Sequence, residues 1–167
     1  MATGPTPRRL SPTVRRTVLT AHIVASVGLL GDSAAILAMN IRAATTGVPT
    51  LAASSYELLG MFSVLFGIPL SFAALGTGIT LGLGTKWGVL RNGWVTAKLG
   101  LIVSVIVAGA LLIGPSVAAM RRDPGAGRET VLVLAAAYDV LALTLATALS
   151  VFKPGRRARR RVVRSTG

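Results

Sequence analysis

The sequence predicts an all-α, polytopic membrane protein: a bundle of four transmembrane helices with both termini cytoplasmic. Three observations carry that expectation. Of 167 residues, 52% are hydrophobic and only 14% charged, with a mean hydropathy of +0.69, which leaves too few charges to clothe an ordinary soluble domain. Four apolar runs remain when the chain is cut at its charges, each with roughly the 20 residues needed to cross about 30 Å of hydrocarbon at 1.5 Å per residue. Fourteen of the 18 basic residues fall on one side of the resulting alternation, as expected of a cytoplasmic face. The chain lacks cysteine, which excludes disulfides, thiolate metal sites and cysteine nucleophiles.

The expected organisation is a basic cytoplasmic segment over residues 1–17, a four-helix transmembrane domain over 18–152, and a basic, disordered cytoplasmic tail over 153–167. The first run, about Val18 to Ile41, follows Arg8, Arg9, Arg15 and Arg16. Its basic start also fits a secretory or twin-arginine signal. An apolar part long enough to span, with Asp32 inside it, favours a retained helix instead. The stretch "AATTGVPTLAASSYE", 43–57, then reads as the first external loop.

The second run, about Leu58 to Leu83, holds Gly60, Gly67, Gly76, Gly78 and Gly82, with Pro69 in its interior. A proline there removes a backbone donor and predicts a kink. Gly78 and Gly82 form a G-x-x-x-G pair that allows a second helix to approach closely, in the same chain or in a homodimer. "GTGITLG" and "GLGTK" match neither the dinucleotide nor the phosphate-loop pattern, and no strand precedes them.

Next comes "LGTKWGVLRNGWVTAKLGL", 83–101, which interrupts two apolar runs with Lys86, Arg91 and Lys98. It reads as the cytoplasmic loop. Trp87 and Trp94 then lie at headgroup level, and Lys98 snorkels toward the phosphates. The third run, about Val95 to Ala119, ends at "RRDPGAGRE", where Asp123-Pro124-Gly125 signals a turn. The fourth, about Val131 to Phe152, leads into "RRARRRVVR". Retention on the inner face and attraction to anionic lipid explain that tail without nucleic acid.

Charges within the spans are the best functional pointers, because an isolated carboxylate near the bilayer centre costs several kcal/mol. Asp32 and Asp139 each lie about 15 Å from the external surface at 1.5 Å per residue, so the two are matched in depth. Asp139 shares a face with Ala135, Ala142, Ala146 and Ser150, a small-residue stripe that admits a neighbour. On the first span His22, Ser26, Ser33 and Asn40 align, with Asp32 about 80° away. One reading is a polar pocket of Asp32, Ser33, Tyr138 and Asp139, suited to a proton, a metal cation or an amine. The other is two neutral acids bonded to each other or to a backbone carbonyl, holding the bundle in register. His22, near the cytoplasmic end, would ligate haem only with a partner from another chain. Glu57 and Tyr56 suit a helix start and an interfacial anchor.

"AHIVASVGLLG", "YELLGMFSVLFGIPLSFAALGTGITLGLGTKWGVLRNGWVTAKL" and "ALSVFKP" resemble a family of small four-helix integral membrane proteins of unknown function from high-GC bacteria. The resemblance runs from about His22 to Pro154 and is most specific in "GTKWGVLRNGWVTAKL". It implies four helices and the topology above, and supplies no reaction. The chain departs from the family pattern at Leu29, where a tryptophan is expected, and at Gly114-Pro115, near an expected histidine. The second departure weakens any metal or haem role. Asp32 and Asp139 are not carried over from it.

The expected function is therefore a non-enzymatic accessory or structural component of a bacterial cytoplasmic (inner) membrane, binding lipid, a partner membrane protein or a second copy, with no cofactor. Nothing in the sequence assembles a nucleophile with a base and an orienting acid. The alternatives are a small transporter or cation- or proton-binding protein using Asp32 and Asp139, and a haem or metal protein using His22 in a dimer.

Overall fold

The computed structural model describes residues 10–84, 93–123 and 126–152. It contains four helices long and apolar enough to cross a membrane: α1 (Pro12–Thr45), α2 (Pro49–Leu83), α3 (Gly93–Arg122) and α4 (Glu129–Phe152). No strand occurs among the described residues. α1 packs on α2 and α4, and α3 packs on the same two, so α1 and α3 stand diagonally across the bundle axis, as do α2 and α4. The end at residues 10, 84, 93 and 152 is called proximal below; the end with the connections 46–48 and 123–128 is called distal.

The helices outrun the apolar runs that announce them. α1 begins at Pro12, where Ser11 caps it by accepting from Val14 N–H at 3.3 Å. A hydroxyl at the N-cap and a proline at the first helical position both satisfy a helix start, so residues 12–17 belong to α1 and not to a separate segment. The expected first loop shrinks to 46–48, because Pro49 starts α2 and "PTLAASSYE" forms its first turns. At the other distal connection Ala126 N–H donates to Asp123 O at 3.0 Å, and Gly127 supplies a positive φ of 65°. Residues 1–9, 85–92 and 153–167, and with them Trp87, Lys86, Arg91 and the basic tail, lie outside the described residues.

Pro69 does disturb its helix, and so does Pro115. Each is preceded by a five-residue π-turn, Ser63–Gly67 in α2 and Gly109–Ile113 in α3. The residue just before each proline closes the wide turn: Ile68 N–H donates to Ser63 O, and Gly114 N–H to Gly109 O. A proline ring clashes with the carbonyl four residues back, and an i→i+5 turn moves that carbonyl aside while keeping the donors paired. Ser63 Oγ also donates to Leu59 O at 2.8 Å, a contact that favours bending.

Small residues take many of the buried positions of the bundle, and many bulky ones face outward. Ala136 and Ser116 are each 1% exposed, whereas Leu111, Leu134 and Leu141 are 64% or more exposed. Lipid tails are as apolar as leucine, so association relies on close packing of small residues and leaves the bulky ones to the hydrocarbon. Two apolar clusters fill the interior. The distal one gathers Ile36, Tyr56, Leu59, Ile113, Val117, Met120 and Leu132 from all four helices; the proximal one gathers Leu29, Val105, Ala142 and Leu143.

Candidate functional site

Asp32 and Asp139 occupy the layer between these clusters. Asp32 lies between Leu29 of the proximal cluster and Ile36 of the distal one, at helical spacing on α1. On α4 Asp139 lies between Ala136 and Ala142, which belong to the distal and proximal clusters. The two helices are neighbours, and the carboxylates are buried at 8% and 6% exposure. In both, Oδ1 is shut off from solvent and has no hydrogen-bond partner.

The surroundings of Asp32 explain how a carboxylate fits there. A Cβ at Gly67 would stand 3.1 Å from Asp32 Oδ2, so the missing side chain makes the notch that this oxygen enters. Gly67 is the last residue of the first π-turn. On the other side of the bundle, α4 packs against the second π-turn, with Ala135 and Ala136, one turn from Asp139, in the same cluster as Ile113. Each buried acid therefore belongs to a regular helix that lies along a proline-broken one.

Ser33 is buried beside Asp32. Tyr138 is not brought to the acids: it is 42% exposed, and its hydroxyl shares a 2.5 Å hydrogen bond with Ser104 Oγ on α3. Consecutive helical residues point 100° apart, and here Asp139 takes the buried face of α4 while Tyr138 turns outward along α3.

Farther toward the distal end are two buried polar residues with unpartnered atoms. Asn40, 2% exposed, has neither Nδ2 nor Oδ1 bonded, and Ser116 Oγ, in a residue 1% exposed, is likewise unpartnered. Asn40 is legible in the first-span stripe; Ser116 is missed by sequence reasoning, the only signal being its place just after Gly114-Pro115. Above them Arg121 Nε and Nη2 reach Glu57 Oε1 and Oε2 at 3.2 and 3.0 Å, an exposed two-pronged ion pair that ties α3 to α2.

The proximal half is polar but satisfied. His22 Nδ1 lies 3.1 Å from Ala74 O and 3.0 Å from Thr77 Oγ1. Thr77 uses its hydroxyl proton on Ala73 O, so Nδ1 carries the proton and donates. The ring rests on Gly78, whose Cβ would stand 3.2 Å from His22 Cε1. Gly78 thus serves packing within the chain, and Gly82 follows one turn nearer the proximal end. Trp94 is half-buried at the start of α3. Lys98 is also half-buried.

Among the described residues no three His, Cys, Asp or Glu side chains gather as a metal would need. Two carboxylates suit a proton or a small monovalent cation better than a transition metal. No protein-family model, curated protein or solved structure matches the chain.

Proposed function

We propose that this multi-pass membrane protein is a small ion-coupled protein in which Asp32 and Asp139 take up and release a proton or small monovalent cation. The observation that carries the reading is the pair of buried carboxylates, matched in depth on adjacent helices, each with an unpartnered Oδ1. Asp139 is ten residues from Glu129 and 13 from Phe152, about 15 and 20 Å, which puts it near the middle of its span. At that depth a carboxylate requires a proton or a counter-ion, and exchanging one for the other is the chemistry the pair can perform.

The basic residues orient the protein with its proximal end in the cytoplasm of a bacterial cell, where the tail engages anionic lipid. The proline-broken helices beside the acids are suited to a change of access, because broken helices expose or cover a midplane site by small local motions. No reaction is catalysed.

The test is reconstitution into liposomes with a potassium diffusion potential set by valinomycin and an internal pH dye, repeated with a sodium reporter. Wild type is expected to carry one of the two ions, with D32N/D139N reduced to the rate of empty liposomes. Wild-type flux equal to that of empty liposomes for both ions would discard the reading in favour of an accessory protein.

A further inference from the structure

The two halves of the bundle axis differ in one respect. From Asp32 toward the proximal end the next buried residues of α1 are Leu29, which is clustered with Val105, Ala142 and Leu143, and Ala25, and among the described residues no fully enclosed side-chain polar atom there lacks a partner. His22 bonds Ala74 O and Thr77, Ser71 donates to Ile68 O, and Ser104 to Leu101 O. Toward the distal end Ser55 donates to Leu51 O, but two other buried residues are left unpaired. Asn40 and Ser116, more than nine-tenths buried on diagonal helices, present three polar atoms without partners inside an apolar cluster.

An unpaired buried amide or hydroxyl costs about 1–3 kcal/mol, and three together would take a large part of the roughly 5–15 kcal/mol that holds a domain folded. Asn40 offers both a donor and an acceptor, so its ligand must do both. We infer that Asn40 and Ser116 hold ordered water on the bundle axis and that this water is the distal relay through which Asp32 exchanges its proton. The relay rests on the ion-coupled reading above, specifically its proton form. Ile36, one turn from both Asp32 and Asn40 and 7% exposed, is the apolar layer between acid and water. Tyr56 and Met120, at 2% and 0% exposure, close the water off from the distal surface.

Solid-state NMR of the protein in bilayers tests the site without any substitution, by magnetisation transfer from water to the Asn40 side-chain amide. Transfer to Asn40 far faster than to the methyls of Leu132, which is 0% exposed, is expected. Equal slow transfer to both would overturn the water site. In the liposome assay N40L/S116A is expected to lower proton flux at least about tenfold, a barrier change near 1.4 kcal/mol, while Asn40→Ser, whose new hydroxyl still donates and accepts, retains it. Flux unchanged in a folded N40L/S116A would overturn the relay. Wild type without flux but with fast transfer to Asn40 would overturn the ion-coupled reading and the relay, and leave the water as a structural element.

Discussion

Substituting Gly67→Ala puts a methyl group 3.1 Å from Asp32 Oδ2, a few tenths of an ångström inside ordinary contact. The carboxylate cannot swing away freely: Asp32 is 8% exposed, its other oxygen is enclosed, and Leu29 and Ile36 are packed on either side of it. Overpacking of this kind costs about 1–3 kcal/mol. The gain from replacing glycine by alanine within a helix, about 0.5–1 kcal/mol, offsets part of it. A net loss of roughly 0.5–2 kcal/mol is expected. The decisive quantity is the coupling with Asp32. In an Asp32→Ala background the crowded oxygen is gone, so Gly67→Ala should be neutral or stabilising, with an interaction energy of about 1–3 kcal/mol, the overpacking cost that has been relieved. Unfolding of the four proteins in mixed micelles with increasing SDS, followed by circular dichroism, gives all terms of the cycle. Additivity within about 0.5 kcal/mol would refute the placement of Asp32 in the Gly67 notch.

Three further outcomes follow from the packing. His22→Phe keeps the ring over Gly78 but loses the Nδ1 donor shared by Ala74 O and Thr77 Oγ1, so a loss of about 0.5–1.5 kcal/mol is expected in the same unfolding assay, and none would show the bond to be immaterial. Ala136→Leu, at a position 1% exposed, should lose about 1–3 kcal/mol by overpacking, while Leu134→Ala, at 65% exposure, should stay within about 0.5 kcal/mol; the opposite ranking would invert the assigned inside and outside of α4. The Glu57–Arg121 pair, exposed at 64% and 44%, should show a coupling of only about 0.2–1 kcal/mol that fades with added salt, and a larger, salt-insensitive value would mean that it is shielded from water.

Much of the site was legible because its signals are one-dimensional. Asp139 in a stripe of alanines, and Asp32 and Asp139 at equal depth, follow from spacing along a helix, and the structure buries both acids, with Ala135 and Ala142 buried on the stripe of Asp139. Tyr138 could not be placed the same way, since adjacency in sequence puts it on another face. The use of Gly78 was also undecided in the sequence. A glycine pair permits close approach without naming the partner, and only the seating of His22 identifies α1.

The composition, and the length of each of the four apolar runs between charged stretches, determined by themselves that the chain would form four helices able to span a membrane. Backbone groups in hydrocarbon must be satisfied within their own segment, and that requirement depends on local sequence alone. The tertiary structure decided which faces meet. A π-turn inserts one residue into a helical turn and rotates all that follows by about 100°, so the phase predicted for a regular helix is lost across Ser63–Gly67 and Gly109–Ile113. Gly67 at the carboxylate of Asp32 and Ser116 facing the axis are consequences of that rotation and of the diagonal arrangement of the helices, and neither is written in the period of the residues.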